Sequence, residues 1–245
     1  MANIRLFDIV LVSSGLLMML SYHFWLLYRI IKHPTKTVIG VNAINRRFWA
    51  RAMMEDASKN GVLAVQTFRN NIMAATVLAS TAIMLSSVIG VLMTGGGGNG
   101  DRQLWIAFGD KTEVFFSIKF FLILVCFLVA FLFNVQSVRY YSHASFLINV
   151  PFKKMYQDVH HHQLTSEYVA STVNKGSYFW SLGLRAFYFS FPLFFWIFGP
   201  VPMFLSSFLL VFLLYFLDVT FDFGRPVTAS NNGDEDKDEE IGRVN

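Results

Sequence analysis

Three apolar stretches, Leu6 to Ile31, Ile72 to Met93 and Phe115 to Val138, are each long enough to cross a bilayer. About 20 apolar residues in a helix cover about 30 Å of hydrocarbon with every backbone hydrogen bond closed internally, so lipid accepts helices and excludes open sheet edges. The chain reads as an all-α polytopic membrane helix bundle with three clear spans, a proline-broken fourth apolar region from Phe187 to Leu217, and one cytosolic amphipathic helix. A hydrophobic share of 54%, with 27 Phe among 245 residues, suits such a bundle better than an ordinary soluble core. The bundle is expected to occupy residues 1–227. Residues 228–245, with the run Asp234 to Glu240, form an acidic tail that has too little apolar surface to fold and is expected to be disordered.

The formal charge of +4 does not point to nucleic acid, because the basic residues sit in connections between apolar stretches, where they act on lipid and on topology. Lys32, Lys36, Arg46, Arg47, Arg51, Lys59 and Arg69 crowd the connection between the first two spans, which is therefore expected in the cytosol. The next connection holds only Arg102 and Lys111 against Asp101, Asp110 and Glu113, and is expected on the opposite side. Arg139, Lys153, Lys154, Lys175 and Arg185 return the balance to the cytosol after the third span. Plasma membrane or endomembrane is the expected location. The first stretch is too long for the core of a cleaved signal peptide and is expected to stay as a span. Cys126, mid-span between Val125 and Phe127, reads as a packing residue.

The fourth region is awkward. One helix over residues 185–218 would measure about 51 Å, more than one crossing and short of two. Pro192 removes a backbone donor, and Gly199-Pro200-Val201-Pro202 breaks a helix. A shorter helix is expected near Leu184 to Phe198 and a longer one near Met203 to Phe221. A tight hairpin between them leaves the tail in the cytosol; a shorter helix that lies in the interface or forms half of a bent span leaves it outside.

Within the first cytosolic connection, Asn42 to Ser58 places Phe48, Trp49, Ala52 and Met53 on one helical face and Arg47, Arg51, Glu55 and Lys59 on another. Glu55 stands four residues from both Arg51 and Lys59, within reach of each. Arg47, Phe48, Trp49 and Arg51 are candidates for the lipid interface, since basic and aromatic residues together suit an anionic leaflet. Packing against the bundle is the alternative for the same helix. Gln66, Arg69, Asn70 and Asn71 lead into the second span, while Asn134, Gln136 and Arg139 end the third at similar depth. Amides inside a span need partners or water, so Gln66, Arg69, Asn70, Asn134, Gln136 and Arg139 are candidates for a basic cytosolic vestibule, with interhelical hydrogen bonding as the plainer role. His23, near the cytosolic end of the first span with Tyr22 and Trp25 beside it, fits an aromatic interface belt. Asp158, His160, His161 and His162 lack metal-ligand spacing, and neither metal nor cofactor is expected. Ala82, Ser86 and Gly90 stand four apart and predict close helix approach.

The run Arg46-Arg47-Phe48-Trp49 through Met53-Met54-Glu55-Asp56, then Ala64-Val65-Gln66-Thr67-Phe68-Arg69-Asn70-Asn71-Ile72-Met73-Ala74, resembles a plant multi-pass membrane-protein family catalogued as domain of unknown function 599. Ser137-Val138-Arg139-Tyr140-Tyr141, Phe146-Leu147-Ile148-Asn149 and Gly183-Leu184-Arg185-Ala186-Phe187-Tyr188 extend the likeness over most of the chain outside the tail. The resemblance implies a multi-pass membrane protein of plant origin and carries no catalytic residue. Paired histidine boxes and a Gly-x-Ser-x-Gly elbow are both missing from the sequence, and the chain is not expected to be an enzyme. Two functions stay open. One is a homo-oligomeric ion channel or transporter-like protein with the vestibule at its mouth; the other is a non-conducting scaffold or adaptor whose amphipathic helix meets lipid and whose acidic tail recruits a protein partner.

Overall fold

The computed structural model of the chain describes residues 2–95, 113–150 and 159–219, with six α-helices and no strand among them. They are α1 (Ala2–Lys32), α2 (Val38–Glu55), α3 (Ala57–Gly95), α4 (Glu113–Leu147), α5 (Val159–Phe195) and α6 (Pro200–Asp218). Four carry stretches long and apolar enough to cross a membrane, Asp8–Lys32, Ser58–Met93, Phe116–Leu147 and Pro200–Asp218. The chain is a multi-pass membrane protein. The glycine-rich turn, Asp158, the acidic tail and the side chains of His160, His161 and His162 lie outside the described residues.

Helix ends follow local chemistry. The Thr37 hydroxyl accepts from the Gly40 N–H at 3.2 Å and caps α2. The Asp56 carboxylate accepts from the Ser58 hydroxyl at 2.6 Å and the Lys59 N–H at 3.2 Å, which caps α3. Those hydrogen bonds hold the Asp56 carboxyl below its ordinary value, so its contribution is complete above the carboxylate range and is lost as pH falls through the depressed value. Asp56→Ala is expected to raise deuterium uptake over residues 58–61 at neutral pH. The excess over wild type should vanish in acid, where Asp56 itself is protonated; a difference that persists there rejects the carboxylate as the cap.

The helices α3, α4 and α5 pack as an antiparallel row. Phe68 of α3 meets Tyr141 of α4 with ring centroids 6.2 Å apart, and buried Ala75, Ala79, Ala82 and Ser86 line the same side of α3. The small-residue stripe thus serves packing through Ala82 and Ser86, while Gly90 faces open space. Between α4 and α5, Phe127 meets Phe187 at 5.8 Å and the Ser137 hydroxyl donates to the Gly176 carbonyl at 2.8 Å. After α5, Gly199 turns the chain at φ 149°, a conformation that suits glycine. Helix α6 then runs back along α5 and parallel to α1, with Gly15 opposite Ser207 and the Trp25 and Tyr215 rings 5.9 Å apart.

An isolated antiparallel bridge joins Val219 to Thr37, so α6 ends beside the start of α2. Of the two arrangements open for the fourth region, the hairpin is the one observed. Its first arm differs from the short helix expected at Leu184 to Phe198: that segment is the end of α5, which has 37 residues and measures about 55 Å. Pro192 sits inside α5 without ending it: its missing N–H costs the Tyr188 carbonyl one helical donor near the helix terminus, while the next turn still closes, with the Trp196 N–H on the Pro192 carbonyl at 3.0 Å. The amphipathic helix begins at Val38 rather than Asn42, behind the Thr37 cap, and ends at Glu55.

Candidate functional site

Asn174, Ser177, Tyr178, Ser181 and Arg185 recur at i, i+3, i+4, i+7 and i+11, which places them on one face of α5. Gly176 and Gly183 occupy the opposite face, where Tyr141 and Asn134 of α4 press against them. Helix α5 therefore gives its glycine face to α4 and its polar face to α1, α2 and α6.

At the α2 end of that stripe, Arg46 Nε donates to Asn174 Oδ1 at 2.8 Å, and Asn174 Nδ2 donates to the Ala43 carbonyl at 3.1 Å. The amide of Asn174 is buried, with its oxygen turned to the guanidinium and its nitrogen to the α2 backbone. Arg46 projects into a cavity of about 190 Å³ lined by Arg46, Asn71, Ala74, Tyr141, Ser177 and Trp180. Burial lowers the Arg46 pKa from its ordinary value, yet a guanidinium stays charged at neutral pH. No carboxylate lies within ion-pair distance of it among the described residues. The other polar groups of the cavity include donors: the Tyr141 and Ser177 hydroxyls, which bond each other, the Asn71 amide, and the buried Trp180 indole N–H, which has no partner among the described residues. A positive charge ringed by donors suits an anion, and a cavity of this size holds about six waters at bulk density.

Further along the stripe, Arg185 Nη2 bonds Asp218 Oδ1 at 2.7 Å, and the Tyr22 hydroxyl donates to Asp218 Oδ2 at 2.7 Å. This pair ties α5, α6 and α1 together with 13% and 10% side-chain exposure. Both carboxylate oxygens are satisfied.

Of the vestibule candidates, Gln66, Arg69, Asn70 and Arg139 lie exposed on the surface of the single chain, and Gln136 is half-buried. Asn134 is fully buried; its Nδ2 donates to the Ala130 carbonyl at 2.8 Å and its Oδ1 has no partner among the described residues. The single chain therefore does not gather these six around one cavity. Asn71, next to Asn70, does enter the Arg46 cavity. Among the lipid-interface candidates, Arg47 and Arg51 bond Glu167 of α5 at 3.4 and 2.9 Å, and Trp49 packs edge-on against Phe68 at 5.5 Å. Phe48 is 62% exposed. Arg51 thus reaches across to α5, a contact that helical spacing within α2 does not show. Loop charge counts Arg46 only toward topology, and the signal that singles it out is the polar spacing from Asn174 to Arg185 on another helix.

No curated protein and no solved structure matches the chain. A family model described as a protein of unknown function, DUF599, matches residues 10–223, from early in α1 to beyond the end of α6. The chain accordingly belongs to the DUF599 family of membrane proteins of unknown function.

Proposed function

We propose that the protein is a transporter-like membrane protein that admits a small anion at the α2 end of the bundle, with Arg46 as its binding group. The observation that carries this reading is the Arg46 guanidinium, half-buried in a donor-lined cavity and without a carboxylate among the described residues. Loop charge assigns that end to the cytosol. The bridge between Thr37 and Val219 brings the chain after α6 to the same side. Assembly of several copies belongs to the same reading, since exposed Arg69, Asn70 and Arg139 offer polar groups for contacts between chains.

Proteoliposomes loaded with chloride or inorganic phosphate test it by uptake against a gradient of the same ion. Arg46→Gln keeps a donor for Asn174 but removes the charge, and is expected to lower uptake at sub-saturating anion by about tenfold or more, the cost of one charge-assisted hydrogen bond. Arg47→Gln, which alters only an exposed ion pair with Glu167, is expected to leave uptake within about twofold of wild type. Equal uptake by wild type and Arg46→Gln, or none from a correctly folded preparation, overturns the proposal.

A further inference from the structure

A second cavity opens on the other side of the polar stripe, between α1 and α5, and its chemistry is different. Its volume is about 530 Å³, inside the range of small-molecule sites. The walls are mostly aliphatic and aromatic, and Leu20, Phe24, Leu27, Tyr178 and Leu182 are also exposed on the outer surface of the bundle. The outer surface of these helices is what a bilayer covers, so this cavity opens sideways toward lipid rather than endwise toward water.

Four residues bring polar groups into the apolar lining, Tyr178 and Ser181 with hydroxyls and His23 and Arg185 with nitrogens, and the last two each have an unused hydrogen-bonding atom. His23 Nδ1 lies 2.7 Å from the Met19 carbonyl. A carbonyl only accepts, so Nδ1 carries the proton, and in the neutral ring Nε2 is left as an acceptor. That Nε2 is buried without a partner among the described residues. Arg185 spends Nη2 on Asp218, while Nη1 is likewise buried without a partner among them. Both residues line the cavity. Beside the Ser181 and Tyr178 hydroxyls, which can each donate or accept, His23 thus offers an acceptor and Arg185 a donor, each costly to bury unsatisfied.

We infer that this cavity binds a neutral lipid bearing a free hydroxyl, entering from the bilayer. A hydroxyl has one proton to give and lone pairs to receive with, so one oxygen can donate to His23 Nε2 and accept from Arg185 Nη1. Charge balance selects against an anionic head. The Arg185 charge is already offset by Asp218, so a carboxylate would bring an uncompensated charge to a depth lined by Leu and Phe. The inference does not depend on the Arg46 cavity, which is lined by other residues.

The test uses the full chain in nanodiscs and three photoreactive probes of one chain length: a long-chain diazirine alcohol, its methyl ether and the matching carboxylic acid. The alcohol is expected to label residues of α1 and α5 around the cavity. The methyl ether, which cannot donate to His23, is expected to label about tenfold less at equal concentration. His23→Phe keeps an aromatic ring beside Phe189 and is expected to bring the alcohol down to the level of the ether. Leu27→Trp fills the cavity and is expected to reduce labelling by both. Alcohol and ether labelling wild type equally, the acid outcompeting the alcohol, or labels falling away from α1, α5 and Ile39 of α2 would each overturn the inference. The comparison of probes on wild-type protein stands even if either variant fails to fold.

Discussion

Asp218→Ala is expected to destabilise the folded chain by about 3–5 kcal/mol, the usual cost of removing one partner from a buried ion pair. The removal leaves the Arg185 guanidinium, already carrying an unpartnered Nη1, without its only carboxylate among the described residues. It also strips the Tyr22 hydroxyl of its acceptor. Because Tyr22, Arg185 and Asp218 stand on α1, α5 and α6, the damage falls on the packing of all three. For a chain of this size the loss corresponds to a fall in melting temperature on the order of 10 °C, measurable by thermal unfolding of purified protein in detergent. The combined change Arg185→Leu, Asp218→Leu and Tyr22→Phe removes every member together and is expected to melt near wild type, since an apolar replacement of a whole buried pair is often neutral. A single variant that melts like wild type would show that the pair contributes nothing.

The same ion pair marks where sequence reasoning succeeds and where it stops. Leu6 to Ile31, Ile72 to Met93 and Phe115 to Val138 were legible because continuous apolar runs answer directly to the thickness of a bilayer, and α1, α3 and α4 contain them. The full length of α5 was not. Its first half carries Glu167, Asn174 and Lys175 among apolar residues, so an averaged hydropathy sees a connection where the backbone sees a helix. The hairpin was one of two geometric options for the fourth region, and local sequence holds no term that distinguishes them. What decides is a contact 33 residues apart, Arg185 with Asp218, and another between Thr37 and Val219.

The candidate site was legible in kind and displaced in position. Reasoning from depth alone groups Asn134 with Arg69 and Arg139, because all approach the same boundary, but depth says nothing of azimuth around a helix. Phe68 and Tyr141 take the buried faces of α3 and α4, which turns Arg69 and Arg139 outward. Polar residues that do meet inside the bundle come from α5, and neighbours there separate the two cavities: Ser177 lines the one around Arg46 and Tyr178 the one beside His23. Periodicity along residues 174–185 carries that information, provided the segment is first recognised as helix.

Gly183→Leu is expected to be the most damaging single change in the α4–α5 interface. A Cβ at this position would stand 2.5 Å from Asn134 Nδ2 and 3.0 Å from its Cγ, and Asn134 is held by the Ala130 carbonyl with no exposed surface to retreat to. A leucine adds three more carbons in the same direction, so the helices must part, at a cost on the order of 3 kcal/mol. Parting them also separates Ser137 from the Gly176 carbonyl and shifts the polar face of α5 away from Arg46. Melting temperature therefore falls together with anion uptake, if the Arg46 cavity is the site of entry. Gly183→Ala separates crowding from general disruption, because Asn134→Ala clears the volume that its new methyl needs. The double variant Gly183→Ala, Asn134→Ala is expected to be more stable than the sum of the two single losses predicts, with a coupling of about 1 kcal/mol. Strict additivity in that cycle would mean that Gly183 is not where α4 sets its distance from α5.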